Sequence, residues 1–194
     1  RHAPVLFPIV GRLQDNKYVY DKNEFVLSQH GFPRDKEFAL VEQSDTSLGF
    51  ELTDNEDSFQ VSPFHFSLII SYELIANKIV VRYEVFNPDY QDLLFSIGAH
   101  PGFNCCRIPG ETMDDYYLEF ESTNQLVAEQ LKDGLLSGEN YTIMLQNNRL
   151  PLSVDLFTND ALVLKNNQIE SIRLFSKKSD NSIELNCKGW PYFG

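Results

Sequence analysis

The chain has 194 residues, 42% of them hydrophobic and 23% charged, with 16 Lys+Arg against 28 Asp+Glu for a formal net charge of −12. That length and composition predict a single globular unit with its own core, and no apolar run approaches the roughly 20 residues a spanning helix requires. The acidic balance, without a basic stripe, argues against nucleic acid and anionic membrane surfaces as partners and leaves small molecules open.

The first residues, Arg1 to Pro8, lack the long apolar core and small-residue cleavage site of a signal peptide. Short β signals surround Leu40 and Phe50. From Phe64 to Leu74 the apolar positions Phe64, Phe66, Leu68, Ile70, Tyr72 and Leu74 alternate with His65, Ser67, Ile69, Ser71 and Glu73. A period of two predicts a strand with one face on a core and the other partly in water. Ala76-Asn77-Lys78 reads as a turn, and Ile79, Val81, Tyr83 and Val85 continue the pattern as the second arm of an antiparallel hairpin. Asn87-Pro88-Asp89 ends it with turn chemistry.

Alternation resumes from Tyr116 to Glu121. Helical periodicity is weak throughout, and its best window, Gln125 to Leu131, is too short for a helix. Another β signal surrounds Leu164. Ser171–Phe175 and Ser182–Cys187 predict a further hairpin, joined by polar Ser176–Asn181. No internal repeat, low-complexity stretch or flexible linker is present. Many short strands separated by turn residues predict an all-β sandwich or barrel. The three cysteines, Cys105, Cys106 and Cys187, have neither a disulfide framework nor metal-type spacing, which predicts reduced thiols in a cytoplasmic protein.

Four histidines are candidates for chemistry. The alternation already explains His65 as a half-exposed strand residue, and nothing around His2 suggests a role. His30 lies where an extended segment meets Gly31 and Pro33. His100 ends an apolar stretch before Pro101, which biases its backbone towards extended geometry. Gly98 and Gly102 permit close approach of backbone or ligand. Loops at strand ends are common places for functional groups, although turn histidines often only hydrogen-bond their own loop. No Gly-x-Ser-x-Gly elbow, His-Glu-x-x-His pair, Gly-x-Gly-x-x-Gly or phosphate-loop pattern is present. The open choices are cofactor-free acid–base chemistry on a small ligand, or binding alone.

Five stretches carry a resemblance. They are Ala3–Arg12, Gln29–Arg34, Phe95–Asn104 (Phe-Ser-Ile-Gly-Ala-His-Pro-Gly-Phe-Asn), Leu156–Leu164 and Gly189–Gly194 (Gly-Trp-Pro-Tyr-Phe-Gly). In that order they resemble the aldose 1-epimerase family, in particular its bacterial hexose-epimerase-like branch. The resemblance implies a large antiparallel β-sandwich of the galactose mutarotase-like supersandwich type, an open sugar cleft, and neither metal nor organic cofactor. It implies an isomerase that interconverts the α and β anomers of an aldose or a hexose 6-phosphate by opening and closing the ring.

Carried over by motif, His100 matches the histidine acid that protonates the ring oxygen, and His30 the second histidine near that oxygen. Asp160 matches the aspartate that holds sugar hydroxyls, with Asp155 close by. Arg12 matches an arginine of the substrate cleft. Arg34 matches an arginine that helps hold phosphate where the sugar is phosphorylated. Imidazole, carboxylate and guanidinium suit those tasks. The family's base glutamate follows the Gly-x-Pro-Tyr-Phe-Gly stretch, where this sequence stops. We therefore expect residues 1–194 to be one such domain, incomplete at both ends. The competing expectation is a carbohydrate-binding or sugar-sensing module on the same scaffold; a structural sandwich without ligand would leave the shaped loops at His30 and His100 unexplained.

Overall fold

A computed structural model describes residues 5–121 and 123–194, so His2 and the first two residues of the Ala3–Arg12 stretch lie outside the described residues. The backbone divides into two compact units, Arg1–Gly102 and Phe103–Gly194. Both are built from antiparallel sheets, which bears out the all-β expectation.

The first unit holds strands β1 (Val5–Leu6), β2 (Lys17–Tyr20), β3 (Asn23–Val26), β4 (Ala39–Gln43), β5 (Ser47–Thr53), β6 (Ser67–Ile75), β7 (Lys78–Phe86) and β8 (Gly98–Ala99). β4, β5, β6 and β7 form a four-stranded meander in that order. Its register aligns Leu52, Leu68 and Val85 across three strands, and likewise Phe50, Ile70 and Tyr83. Same-face neighbours in this arrangement are the units of sheet stabilisation. Leu52, Leu68 and Ile70 are buried with Phe7 and Phe66, and Phe32, Phe38, Leu93 and Ile97 pack around them. Phe7 and Phe66 are tilted at 5.1 Å between ring centroids, within the favoured range for aromatic pairs.

The strand expected from Phe64 begins only at Ser67. The Phe66 amide donates to the Asp54 carboxylate at 2.8 Å instead of entering the ladder. His65 therefore stands before the strand, its Nδ1 3.0 Å from the other Asp54 oxygen and its ring edge-on to Phe59, which is a structural role. The apolar face is also buried at one end only. Leu68 is fully buried, whereas Leu74 on the same face is 52% exposed, because core side chains cover one half of the sheet.

The second unit holds β9 (Tyr116–Phe120), β10 (Gln125–Lys132), β11 (Leu135–Met144), β12 (Arg149–Pro151), β13 (Val163–Lys165), β14 (Ser171–Ser176), β15 (Ser179–Asn186) and β16 (Tyr192–Phe193). They form two four-stranded sheets, ordered β11-β10-β13-β16 and β12-β9-β14-β15. The core draws on both: Leu126, Ala128 and Leu164 from the first, Phe120, Leu150 and Ile172 from the second, with Cys187 among them. The Gln125–Leu131 window is thus a strand, with Leu126 and Ala128 on the core face. Its Glu129 is buried on the opposite face and pairs with Lys165 Nζ at 2.7 Å. The β14–β15 hairpin turns more tightly than the polar run Ser176–Asn181 suggested, with Ser176 pairing Ser179. Tertiary contacts make that possible, because the buried Ser176 hydroxyl donates to Glu111 and accepts from the Lys178 amide.

All three cysteines are free. Among the described residues, no helix is long and apolar enough to cross a membrane.

Candidate active site

In the first unit the segment from Val5 to Gly11 acts as a splint between the two histidine loops. On one side β1 pairs with β8, matching Val5 to Ala99 and Leu6 to Gly98, which places His100 at the end of the ladder. Two further bonds extend that contact: the Ser96 amide donates to the Pro8 carbonyl at 2.8 Å, and the Val10 amide to the Ser96 hydroxyl at 3.0 Å. Gly98 suits this approach, since a Cβ there would lie 3.0 Å from the Val10 side chain and 3.1 Å from that of Leu6, so those side chains would have to shift. Gly102, by contrast, faces open space.

On the other side the splint meets the Ser28–Gly31 turn. That turn closes on itself through the Gly31 amide to the Ser28 carbonyl at 2.9 Å and the Ser28 hydroxyl to the Gly31 carbonyl at 3.0 Å. His30 sits in the left-handed region at φ 67, a conformation histidine adopts more readily than most residues. Three bonds fix it. Its amide donates to the Gly11 carbonyl at 2.8 Å, its carbonyl accepts from the Phe7 amide at 3.3 Å, and its Nδ1 accepts from the Gly11 amide at 3.1 Å. Gly31 must be glycine, because a Cβ would fall 1.9 Å from the Phe7 carbonyl oxygen.

The bond to Gly11 decides the chemistry of His30. An Nδ1 that accepts carries no proton, so the neutral ring holds its proton on Nε2 and presents a donor there. Its environment reinforces this state. Burial, then the neighbouring His100 and Arg34, push the His30 pKa down from the usual 6.5. The ring is half-buried, whereas His100 is exposed. The two rings meet edge to face at 6.2 Å between centroids.

Arg34 reaches the same neighbourhood from the 3₁₀ turn Pro33–Asp35, whose buried Pro33 anchors it while the guanidinium stays in solvent, 3.7 Å from Asp35. Arg12 follows Gly11 directly and donates from Nε to Asn16 Oδ1 at 3.2 Å. Asp160 belongs to the second unit. It lies just past the 3₁₀ turn Val154–Phe157 in the left-handed region at φ 77, its amide donating to the Phe157 carbonyl at 3.2 Å and its carboxylate accepting from the Ala161 amide at 2.8 Å. His30, His100 and Arg34 are therefore brought together, with Arg12 beside the splint. Residue-by-residue reading missed Gly11, Phe7 and Ser96, which act through backbone or hydroxyl groups; the Ala3–Arg12 motif was the only signal for two of them.

The fold that carries this site is galactose mutarotase-like. The backbone matches a galactose mutarotase related enzyme from Lactobacillus acidophilus with a TM-score of 0.92 at 33% identity, covering 99% of this chain and 64% of that one. It matches a galactose mutarotase-like protein from Lactobacillus casei with a TM-score of 0.87 at 31% identity, covering 99% and 66%. Among curated proteins, the plasmid-borne protein LacX of Lactococcus lactis subsp. lactis is 31% identical over 97% of this chain and 66% of its own length. The chain thus spans about two-thirds of the length of these relatives. The aldose 1-epimerase family model matches residues 1–186, and the chain belongs to that family.

Proposed function

We propose that residues 1–194 are part of one aldose 1-epimerase domain that interconverts the α and β anomers of an aldose or a hexose 6-phosphate. The observation that carries this reading is the His30–His100 pair, two imidazoles face to edge with one of them held as a neutral Nε2–H donor. In the proposed reaction a carboxylate base takes the proton of the anomeric hydroxyl. His100 gives a proton to the ring oxygen as the C1–O5 bond breaks and C1 becomes an aldehyde. Rotation about C1–C2 and reversal of both transfers closes the ring on the other face, so no proton is gained or lost overall. His30 Nε2–H orients the ring oxygen. Arg34, exposed beside the histidines, receives the phosphate of a 6-phosphorylated sugar. Asp160 binds sugar hydroxyls, and Arg12 lines the cleft. The mechanism calls on no metal or organic cofactor. Three unpaired cysteines support a reducing, cytoplasmic setting.

Saturation-transfer NMR of galactose, glucose and glucose 6-phosphate tests the proposal, using the chain alone and fused to the remaining third of the Lactobacillus acidophilus relative. Anomer exchange above the spontaneous rate, lost on His100→Ala, is the expected result. A folded fusion that binds sugar yet leaves exchange at the spontaneous rate would overturn it in favour of a carbohydrate-binding module.

A further inference from the structure

The second unit contains an arginine-lined cavity that the epimerase reading does not use. Its volume is about 320 Å³, the lower end of what small-molecule sites occupy, and Arg107, Tyr116, Ser179, Asn181 and Ser182 line it. Arg107 is the one charged residue of that lining, and the nearby Glu111 carboxylate is turned onto the Tyr116 and Ser176 hydroxyls of the wall.

Arg107 is held there from several directions. Its amide donates to the Tyr116 hydroxyl at 2.9 Å, and its Nη2 donates to the Asn181 carbonyl at 3.0 Å. The guanidinium lies 5.9 Å from the centre of the Tyr116 ring. The loop that carries it is tied down by Glu111, which accepts from the Ile108 amide, the Tyr116 hydroxyl and the Ser176 hydroxyl. Those three bonds orient the Glu111 carboxylate, and among the described residues Arg107 forms no ion pair. Arg107 Nε is shielded from solvent and has no acceptor among the described residues. Buried polar groups of native proteins are nearly always satisfied, and an exception of this kind asks for a partner.

We propose that this cavity binds a phosphoryl-type oxyanion, with Arg107 as its anchor. Guanidinium presents a fork matched to two oxygens of such a group. Within the proposal, the Nε–H that lacks an acceptor and a neighbouring Nη hydrogen are the two donors of that fork. The Ser179 and Ser182 hydroxyls supply neutral donors around the anion. The site rests on the second unit alone and holds whether or not the protein is an epimerase.

The test is ¹⁵N NMR of the whole chain, following the Arg107 Nε–Hε signal and the backbone amides of positions 107, 179 and 182 during titration with inorganic phosphate, with chloride at matched ionic strength as the control. A saturable shift of these signals with phosphate but not chloride is expected, with affinity, read from the backbone amides, about tenfold weaker in Arg107→Lys, where the fork is lost. Ser182→Ala, an exposed position that leaves the fold intact, should weaken binding less. A second arm with glucose 6-phosphate separates the sources: tighter binding of the ester marks a sugar phosphate as the occupant, and equal binding marks the free anion. No saturable shift, or an equal shift with chloride or in Arg107→Lys, would overturn the proposal.

Discussion

His30 and the Gly11 backbone are joined twice: the Gly11 amide donates to the ring Nδ1 at 3.1 Å, and the His30 amide donates to the Gly11 carbonyl at 2.8 Å. A side chain and its own backbone are thus held by one residue, which fixes both the orientation and the tautomer of the imidazole. Ring ¹⁵N shifts should report a bare Nδ1 and a protonated Nε2 at neutral pH. The surroundings of His30 have a consequence for stability. Burial first, then His100 and Arg34, lower the His30 pKa from 6.5. Below that value the unfolded chain takes up a proton that the native ring refuses, so stability falls as pH drops through about 6.5. Denaturation midpoints of His30→Asn, which tolerates the same backbone region, should lack this part of the slope.

Gly31 and Gly11 both have positive φ, 74 and 85, but only one is crowded. Gly31→Ala sets a Cβ 1.9 Å from the Phe7 carbonyl oxygen, and urea unfolding should show a loss of more than about 3 kcal/mol. Gly11→Ala meets nothing within 4 Å, so strain alone should cost about 1 kcal/mol.

Arg34 is a specificity determinant if the anomerase reading holds. Arg34→Ala should raise KM for a hexose 6-phosphate about tenfold and leave KM for the free hexose unchanged. Equal effects on the two substrates would remove Arg34 from phosphate recognition.

The uneven burial of the β4–β7 face gives a stability contrast along one stripe of residues. Leu68→Ala empties a fully buried position and should cost about 2–5 kcal/mol. Ile79→Thr, at 69% exposure and still β-branched, should stay within about 0.5 kcal/mol. Both are read from thermal or urea midpoints of the same chain.

Glu119 joins three strands of the second unit. It accepts from Arg149 Nε at 2.8 Å and also from Arg173. Burial pulls its pKa up, but the bonds from the two arginines outweigh that and hold it below the usual 4.5. The resulting stabilisation is present above pH 4.5 and is lost as pH falls towards the folded value. Glu119→Gln should cost about 1–3 kcal/mol at neutral pH and flatten the acid limb of the stability profile.

The strands and the candidate histidines were legible in the sequence for local reasons. Side-chain alternation sets which face of a strand is apolar, so spacing placed the hairpin, three residues early at Phe64 where the strand begins at Ser67, and the strand from Tyr116, one residue too long at Glu121. The motifs at Gln29–Arg34 and Phe95–Asn104 marked His30 and His100, because proline restricts the backbone and glycine admits conformations closed to other residues wherever they stand. Tertiary structure alone decided the rest. Which end of the Leu68–Leu74 face is covered depends on Phe7, Phe32 and Phe38 arriving from distant segments. That His30 is a neutral donor depends on an amide 19 residues away in sequence. That Arg107 keeps an unanswered Nε depends on where Asn181 and Glu111 come to rest. Periodicity and turn chemistry act between neighbours in the chain, whereas burial, tautomer and unsatisfied charge are set by neighbours in space.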